Sequence, residues 1–204
     1  MPAVALYGTH SQRQGNEEAP LMRVIVLHTS PNDDGLTASL AEAAVAGANA
    51  AGAEAEMVKL TALDIPSCRQ CNNGWGMCRT EGRCGYSDDF NPLREKLWAA
   101  DAWVLVTPVY FGEPSEIAKS FMDRLRRCNV GAKGEGLAEK PVIGVAAAGG
   151  SGRGTATCLL ALDRFYGHIN AQVADLITVT RRSAEYKREA VRAAAQAMVE
   201  AMQA

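Results

Sequence analysis

The sequence carries almost no excess charge of either sign: 21 basic residues against 23 acidic ones leave a formal net charge of −2. So balanced a chain has no basic surplus with which to collect nucleic acid or anionic lipid. Long apolar runs are missing too, and nothing approaches the roughly 18 residues that a membrane span requires. The opening residues do not read as a secretory leader, because the apolar stretch Ala3–Tyr7 is short and no positive charge precedes it. There is no Walker ending, no G-x-G-x-x-G fingerprint and no Ser/His/Asp arrangement. These absences predict a cytoplasmic protein that engages neither nucleic acid nor membrane.

What remains is an ordinary globular composition, 48% hydrophobic and 22% charged over 204 residues, enough for one good core. Residues 1–21 are polar as far as Pro20 and read as a mobile extension, so residues 22–204 form the expected domain. Six cysteines without a secretory pattern argue against a disulfide scaffold. Four of them cluster as Cys68, Cys71, Cys78 and Cys84; Cys128 and Cys158 lie on predicted helices and read as small apolar residues. His28 ends a predicted strand and reads as a packed core side chain.

From Met22 the pattern alternates. Arg23–Thr29, Ala102–Thr107 and Pro141–Ala147 are short β-branched or apolar runs, as buried parallel strands require, and Glu54–Leu60 and Ala171–Val179 add two more. Between them, helices are predicted at Gly35–Ala51, Asp89–Ala100 (Leu93, Leu97 and Trp98 buried), Pro114–Cys128 and from about Gly154 to Tyr166. Ser183–Ala204 closes the chain with Tyr186, Ala190, Val191, Ala194, Met198 and Met202 on its apolar side. Five strands alternating with five helices predict an α/β three-layer sandwich around a parallel sheet.

In such sheets ligands bind outside the carboxyl ends of the strands, where strand order reverses. Three loops there are unusual. Thr29-Ser30-Pro31-Asn32-Asp33-Asp34-Gly35-Leu36-Thr37 offers hydroxyls and backbone N–H groups to a phosphate, or else is an ordinary capped helix start. Pro108-Val109-Tyr110-Phe111-Gly112 suits the edge of a planar ring, or else covers a helix end. Gly149-Gly150-Ser151-Gly152-Arg153-Gly154 lets a ligand approach the backbone without Cβ obstruction.

With these loops in place, the chain resembles the flavodoxin-like NAD(P)H-dependent FMN reductases and their iron–sulfur flavoprotein relatives. The likeness rests on Ser30-Pro31 through Gly35 and Thr37, on Cys68-x2-Cys71 with Asp88-Asp89, on Pro108-Val109-Tyr110-Phe111 with Phe121-Met122-Asp123-Arg124, and on Gly149-Gly150. It implies a five-stranded sheet of order 2-1-3-4-5. It also implies FMN, with phosphate at Ser30, Asn32, Gly35, Leu36 and Thr37 and beside Thr29, and with its ring against Pro108–Gly112 and Gly149–Gly150. NAD(P)H would be the co-substrate and a quinone, flavin or other small molecule the acceptor, with Tyr110 shaping the substrate face. A homodimer or higher homo-oligomer is implied as well.

Two features depart from the family pattern. Asp33 and Asp34 stand where many relatives have a basic residue, and would repel a phosphate unless they point outward. The spacing Cys68-x2-Cys71-x6-Cys78-x5-Cys84 is looser than the relatives' ligand set. It leaves open a [4Fe–4S] cluster, a structural zinc, free thiols or a disulfide. The alternatives to a reductase are therefore an electron-transfer flavoprotein and a zinc-stabilised binding module without flavin.

Overall fold

The computed structural model describes residues 21–132 and 136–204. The extension expected at residues 1–21 lies outside the described residues, apart from Leu21.

The strands are β1 (Arg23–His28), β2 (Glu54–Lys59), β3 (Ala102–Tyr110), β4 (Glu113–Pro114), β5 (Pro141–Ala148) and β6 (Gln172–Thr180). All but β4 form one parallel sheet in the order β2-β1-β3-β5-β6. The helices are α1 (Leu36–Ala50), α2 (Met77–Thr80), α3 (Phe90–Ala99), α4 (Glu116–Gly131), α5 (Thr155–His168) and α6 (Ala184–Gln203).

Strand alternation explains the layers. Val24, Val26, Val104 and Val106 pack with α1 and α6 on one face. Their neighbours Ile25, Leu27, Trp103 and Leu105 pack with α3, α4 and α5 on the other. Each central strand is thus apolar on both sides, which is why these runs read as continuously hydrophobic.

The sheet has six strands, not five. β3 continues past Thr107 to Tyr110, turns through Phe111-Gly112 and returns as β4, pairing antiparallel at Val109 with Pro114 and at Tyr110 with Glu113. A two-residue hairpin of type I′ needs positive φ at both turn positions, and Phe111 and Gly112 supply it at 51° and 83°. Without this β4 return, the five parallel strands keep the expected order. Two smaller corrections concern helix faces. Trp98 is only half-buried. The apolar stripe of α6 is rotated, burying Val191, Ala195, Met198 and Val199 and leaving Tyr186 exposed.

Candidate functional site

The chain runs from β1 to β2 on one side and then to β3 on the other, so strand order reverses between β1 and β3. The loop Thr29–Gly35 leaves β1 at that point. Gly35 enters α1 in an extended conformation, no side chain among the described residues caps the helix, and its first turn has no acid. The reading as an ordinary capped start therefore does not hold. The first-turn N–H groups are what an anion at a helix N-terminus would satisfy.

Within the loop, Thr29 and Ser30 are buried while Asn32, Asp33 and Asp34 are exposed. The Thr29 hydroxyl is engaged inward: it donates to the Val106 carbonyl at 3.3 Å and accepts from Ser115 Oγ at 3.1 Å. These bonds anchor the loop root to β3 and to Ser115. The two acids do point outward. The Asp33 side chain is 83% exposed and pairs with Lys59 at the end of β2, and that ammonium holds its carboxyl below the usual range. Lys59 also donates to the Pro31 carbonyl at 3.0 Å. A cation from the neighbouring strand thus offsets the charge that the loop sequence left uncompensated.

The β3–β4 hairpin and the glycine turn after β5 come together around a cavity of about 480 Å³, lined by Val109, Phe111, Gly112, Ala148, Gly150–Gly154 and Thr157. This is an ordinary size for a small-molecule site. Thr157 Oγ1 donates to the Gly112 carbonyl at 2.8 Å and to the Gly154 carbonyl at 3.0 Å, tying hairpin to helix. Phe111 is wholly exposed (109%) although its φ is positive, and Tyr110 is 47% exposed. A bulky residue in that region is uncommon and strained. Of the residues read from sequence, Val109, Phe111, Gly112 and Gly150 line the cavity; Pro108, Tyr110 and Gly149 lie beside it in the chain. Ser151–Gly154 lay in the glycine run quoted above, but Thr157 carried no signal of its own.

The cysteine loop folds back on α4. Cys68, Cys71, Cys78 and Cys84 all line one small cavity, together with Tyr86, Arg124, Arg127 and Cys128. Cys128, expected to be only a small apolar residue, therefore belongs to this wall. Arg127 donates to the Gly74 carbonyl. Trp75 packs between Arg79 and Arg127, whose guanidinium carbons lie 5.5 and 4.8 Å from its ring centroid.

Among the described residues, no group of His, Cys, Asp or Glu is placed to hold a metal ion. Four thiols and two arginines wall the space, and Arg124 keeps a buried Nε–H without a partner among the described residues. The space itself is about 20 Å³, so seating a cluster takes an outward shift of this glycine-containing loop.

His28 is packed as expected, with Nε2 buried and without a partner among the described residues. Burial, and then the nearby Lys59 charge, hold its pKa below the ordinary histidine value. Burial pushes the Cys128 and Cys158 thiols up to about 12. Thiolate is the reactive form, so in the metal-free chain iodoacetamide at pH 8 should label the half-buried Cys68, Cys71, Cys78 and Cys84 and spare Cys128 and Cys158 until the chain is denatured. Peptide mass mapping reads this directly, and early labelling of Cys128 would contradict it.

Comparison with known proteins agrees with this geometry. An iron–sulfur flavoprotein of Methanocaldococcus jannaschii is 36% identical over 110 residues, 54% of this chain and 55% of that one. The chain spans about half the length of the curated relatives it matches. Among solved structures, a flavone reductase superposes with a TM-score of 0.68 at 19% identity, covering 89% of this chain and 63% of that one. An NAD(P)H:quinone oxidoreductase from Methanothermobacter marburgensis gives 0.65 at 18% identity, covering 86% and 95%. These two establish the flavodoxin-like fold. The sequence profile described as NADPH-dependent FMN reductase matches residues 22–201, and the chain belongs to that family.

Proposed function

We propose that residues 22–204 form one FMN-binding domain of a cytoplasmic oxidoreductase that takes hydride from NAD(P)H and passes electrons to a quinone, a flavin or another small acceptor. The observation that carries this reading is the joint geometry of the carboxyl edge. An uncapped helix start suited to a phosphate shares that edge with an open cavity suited to a ring. Family membership supports both the flavin and the nicotinamide.

Ser30, Asn32, Gly35, Leu36 and Thr37 would hold the phosphate of FMN, and Pro108–Gly112 with Gly149–Gly150 would meet its ring. When bound, FMN supplies a ring that accepts hydride and gives up electrons singly or in pairs. The protein contributes position and access. Thr157 fixes the hairpin against α5, Lys59 draws Asp33 away from the anion site, and Tyr110 shapes the face an acceptor approaches. No protein general base is required.

Anaerobic stopped-flow mixing with NADPH or NADH tests the reading: flavin absorbance should bleach rapidly with at least one of them. Bleaching by dithionite alone would leave an electron carrier instead. That second reading, FMN with a [4Fe–4S] cluster held by Cys68, Cys71, Cys78 and Cys84, is favoured by the convergence of the four cysteines on one cavity. Iron and sulfide assays after anaerobic purification decide it, with near four irons per chain expected.

Thr37 is buried in the first turn of α1, so Thr37→Val removes a donor from the phosphate site. Losing one hydrogen bond to a charged group costs about 1.5–3 kcal/mol, so FMN affinity should fall roughly tenfold to over a hundredfold. Unchanged affinity in a fluorescence titration would move the phosphate elsewhere. Tyr110, Phe111 and Leu160 leave apolar surface exposed, which supports assembly as a homo-oligomer, most simply a two-fold dimer.

A further inference from the structure

The β1–β3 ladder ends at His28 and Val106. Beyond it the two chains part: one runs through Thr29–Gly35 to α1, the other into the β3–β4 hairpin. The return leg of that hairpin delivers Ser115 to the start of α4, where the residue is buried. A serine in this place ordinarily turns its hydroxyl back on the first N–H groups of its own helix. Among the described residues, Ser115 makes no such bond. Its hydroxyl donates across to Thr29 instead, 3.0 Å from the carbonyl oxygen and 3.1 Å from Oγ1. The Ser115 N–H donates to Thr107 Oγ1 at 3.0 Å, and the Thr107 hydroxyl donates to the Pro108 carbonyl at 3.1 Å. Thr29 and Thr107 are wholly buried. Among the described residues, the Ser115–Thr29 contact is the side-chain link between the hairpin's return leg and the loop after β1.

We propose that Ser115 is a positioning residue that couples the phosphate half of the flavin site to its ring half. This rests on the reading of the two loops as an FMN site. An anion that fixes the Thr29–Gly35 loop fixes the Thr29 acceptors, and these hold Ser115. Through Ser115 it fixes the hairpin whose Val109, Phe111 and Gly112 line the ring cavity. A ring that meets a hairpin already held in place binds more tightly than one that must first select that position. By linkage the ring tightens the anion by the same factor. The hydroxyl that would have capped α4 is given over to this link.

The test splits FMN into two probes, riboflavin and inorganic phosphate, and applies them to the full chain freed of flavin. Riboflavin affinity is measured by fluorescence quenching in saturating phosphate and in sodium chloride of equal ionic strength. Riboflavin is uncharged, so a difference between the two reports coupling through the protein rather than attraction between the probes. In the wild-type chain phosphate should tighten riboflavin at least about fivefold. In Ser115→Ala that factor should fall below about twofold, while each probe alone still binds. A purely structural role would weaken both probes and leave the factor unchanged. If the alanine variant fails to fold by circular dichroism, Ser115→Cys takes its place. It fills the same space with a weak donor and should lose most of the coupling. A wild-type factor in the variant that folds overturns this inference, and so does a wild-type chain in which phosphate leaves riboflavin affinity unchanged. In either case FMN bound at one per chain keeps the flavin reading intact. A wild-type chain that binds neither FMN nor riboflavin overturns both.

Discussion

Replacing Gly154 with alanine should both destabilise the protein and weaken its hold on FMN. Gly154 has a φ of 80°, and a Cβ there would lie 2.7 Å from Gly112 Cα and 3.1 Å from Gly112 N. Both neighbours are backbone, so neither can swing aside. The left-handed conformation costs an L-residue about 1–2 kcal/mol, and overpacking adds about 1–3 kcal/mol. At roughly 2–4 °C per kcal/mol for a chain of this size, the melting temperature should fall by about 4–20 °C. The hairpin carrying Val109 and Phe111 must also move off α5, so FMN affinity should drop at least about tenfold, since 1.4 kcal/mol of that strain suffices. Differential scanning fluorimetry and a flavin fluorescence titration check the two halves. An alanine variant with wild-type melting and affinity would mean that hairpin and turn do not meet as described.

Gly131→Ala should act at the other site and leave the flavin alone. Gly131 ends α4 where the cysteine loop crosses it, and a Cβ would sit 2.2 Å from the Cys78 carbonyl oxygen and 2.6 Å from Gly82 N. The loop segment from Cys78 to Cys84 has to lift away, which separates two sulfurs from the other two. On the reading of the four cysteines as cluster ligands, iron content after anaerobic purification should fall from near four to below one per chain, while FMN content should match wild type. Overpacking of this kind costs about 1–3 kcal/mol, so melting should drop by at least about 2 °C, a readout that does not depend on metal. Full iron loading in the variant would contradict the close approach of α4 to this loop.

Much of the fold was legible because the signals are local. The central strands announce themselves by continuous apolar runs, and the order of strands and helices then restricts topology through crossover handedness. The three loops were legible for the same reason, being unusual in composition at predicted strand ends. The β3–β4 hairpin was not. Its turn is Phe111-Gly112 rather than an Asn-Gly or Asp-Gly pair, and Pro108 and Pro114 read as loop boundaries although both lie in strands. Contacts distant in sequence were equally hidden. Nothing near Asp33 says that Lys59 will neutralise it, and an arginine on an amphipathic helix reads as a solvated residue until Asp88 is found against it. Cys128 packs in the core as its apolar reading implies, but its place on the wall of the cysteine cavity was hidden, because the loop that it faces precedes it by some fifty residues. The resemblance did mark both Asp88 and Arg124, without saying that they meet.

FMN bound at the carboxyl edge of the sheet is the central expectation. The most direct measurement is mass spectrometry of the small molecule released by denaturing freshly purified protein, with its amount set against chain concentration. FMN near one per chain, reduced severalfold or more in Thr37→Val after dialysis, is the predicted result. Recovery of FAD, or a colourless chain that takes up no added FMN, would contradict it.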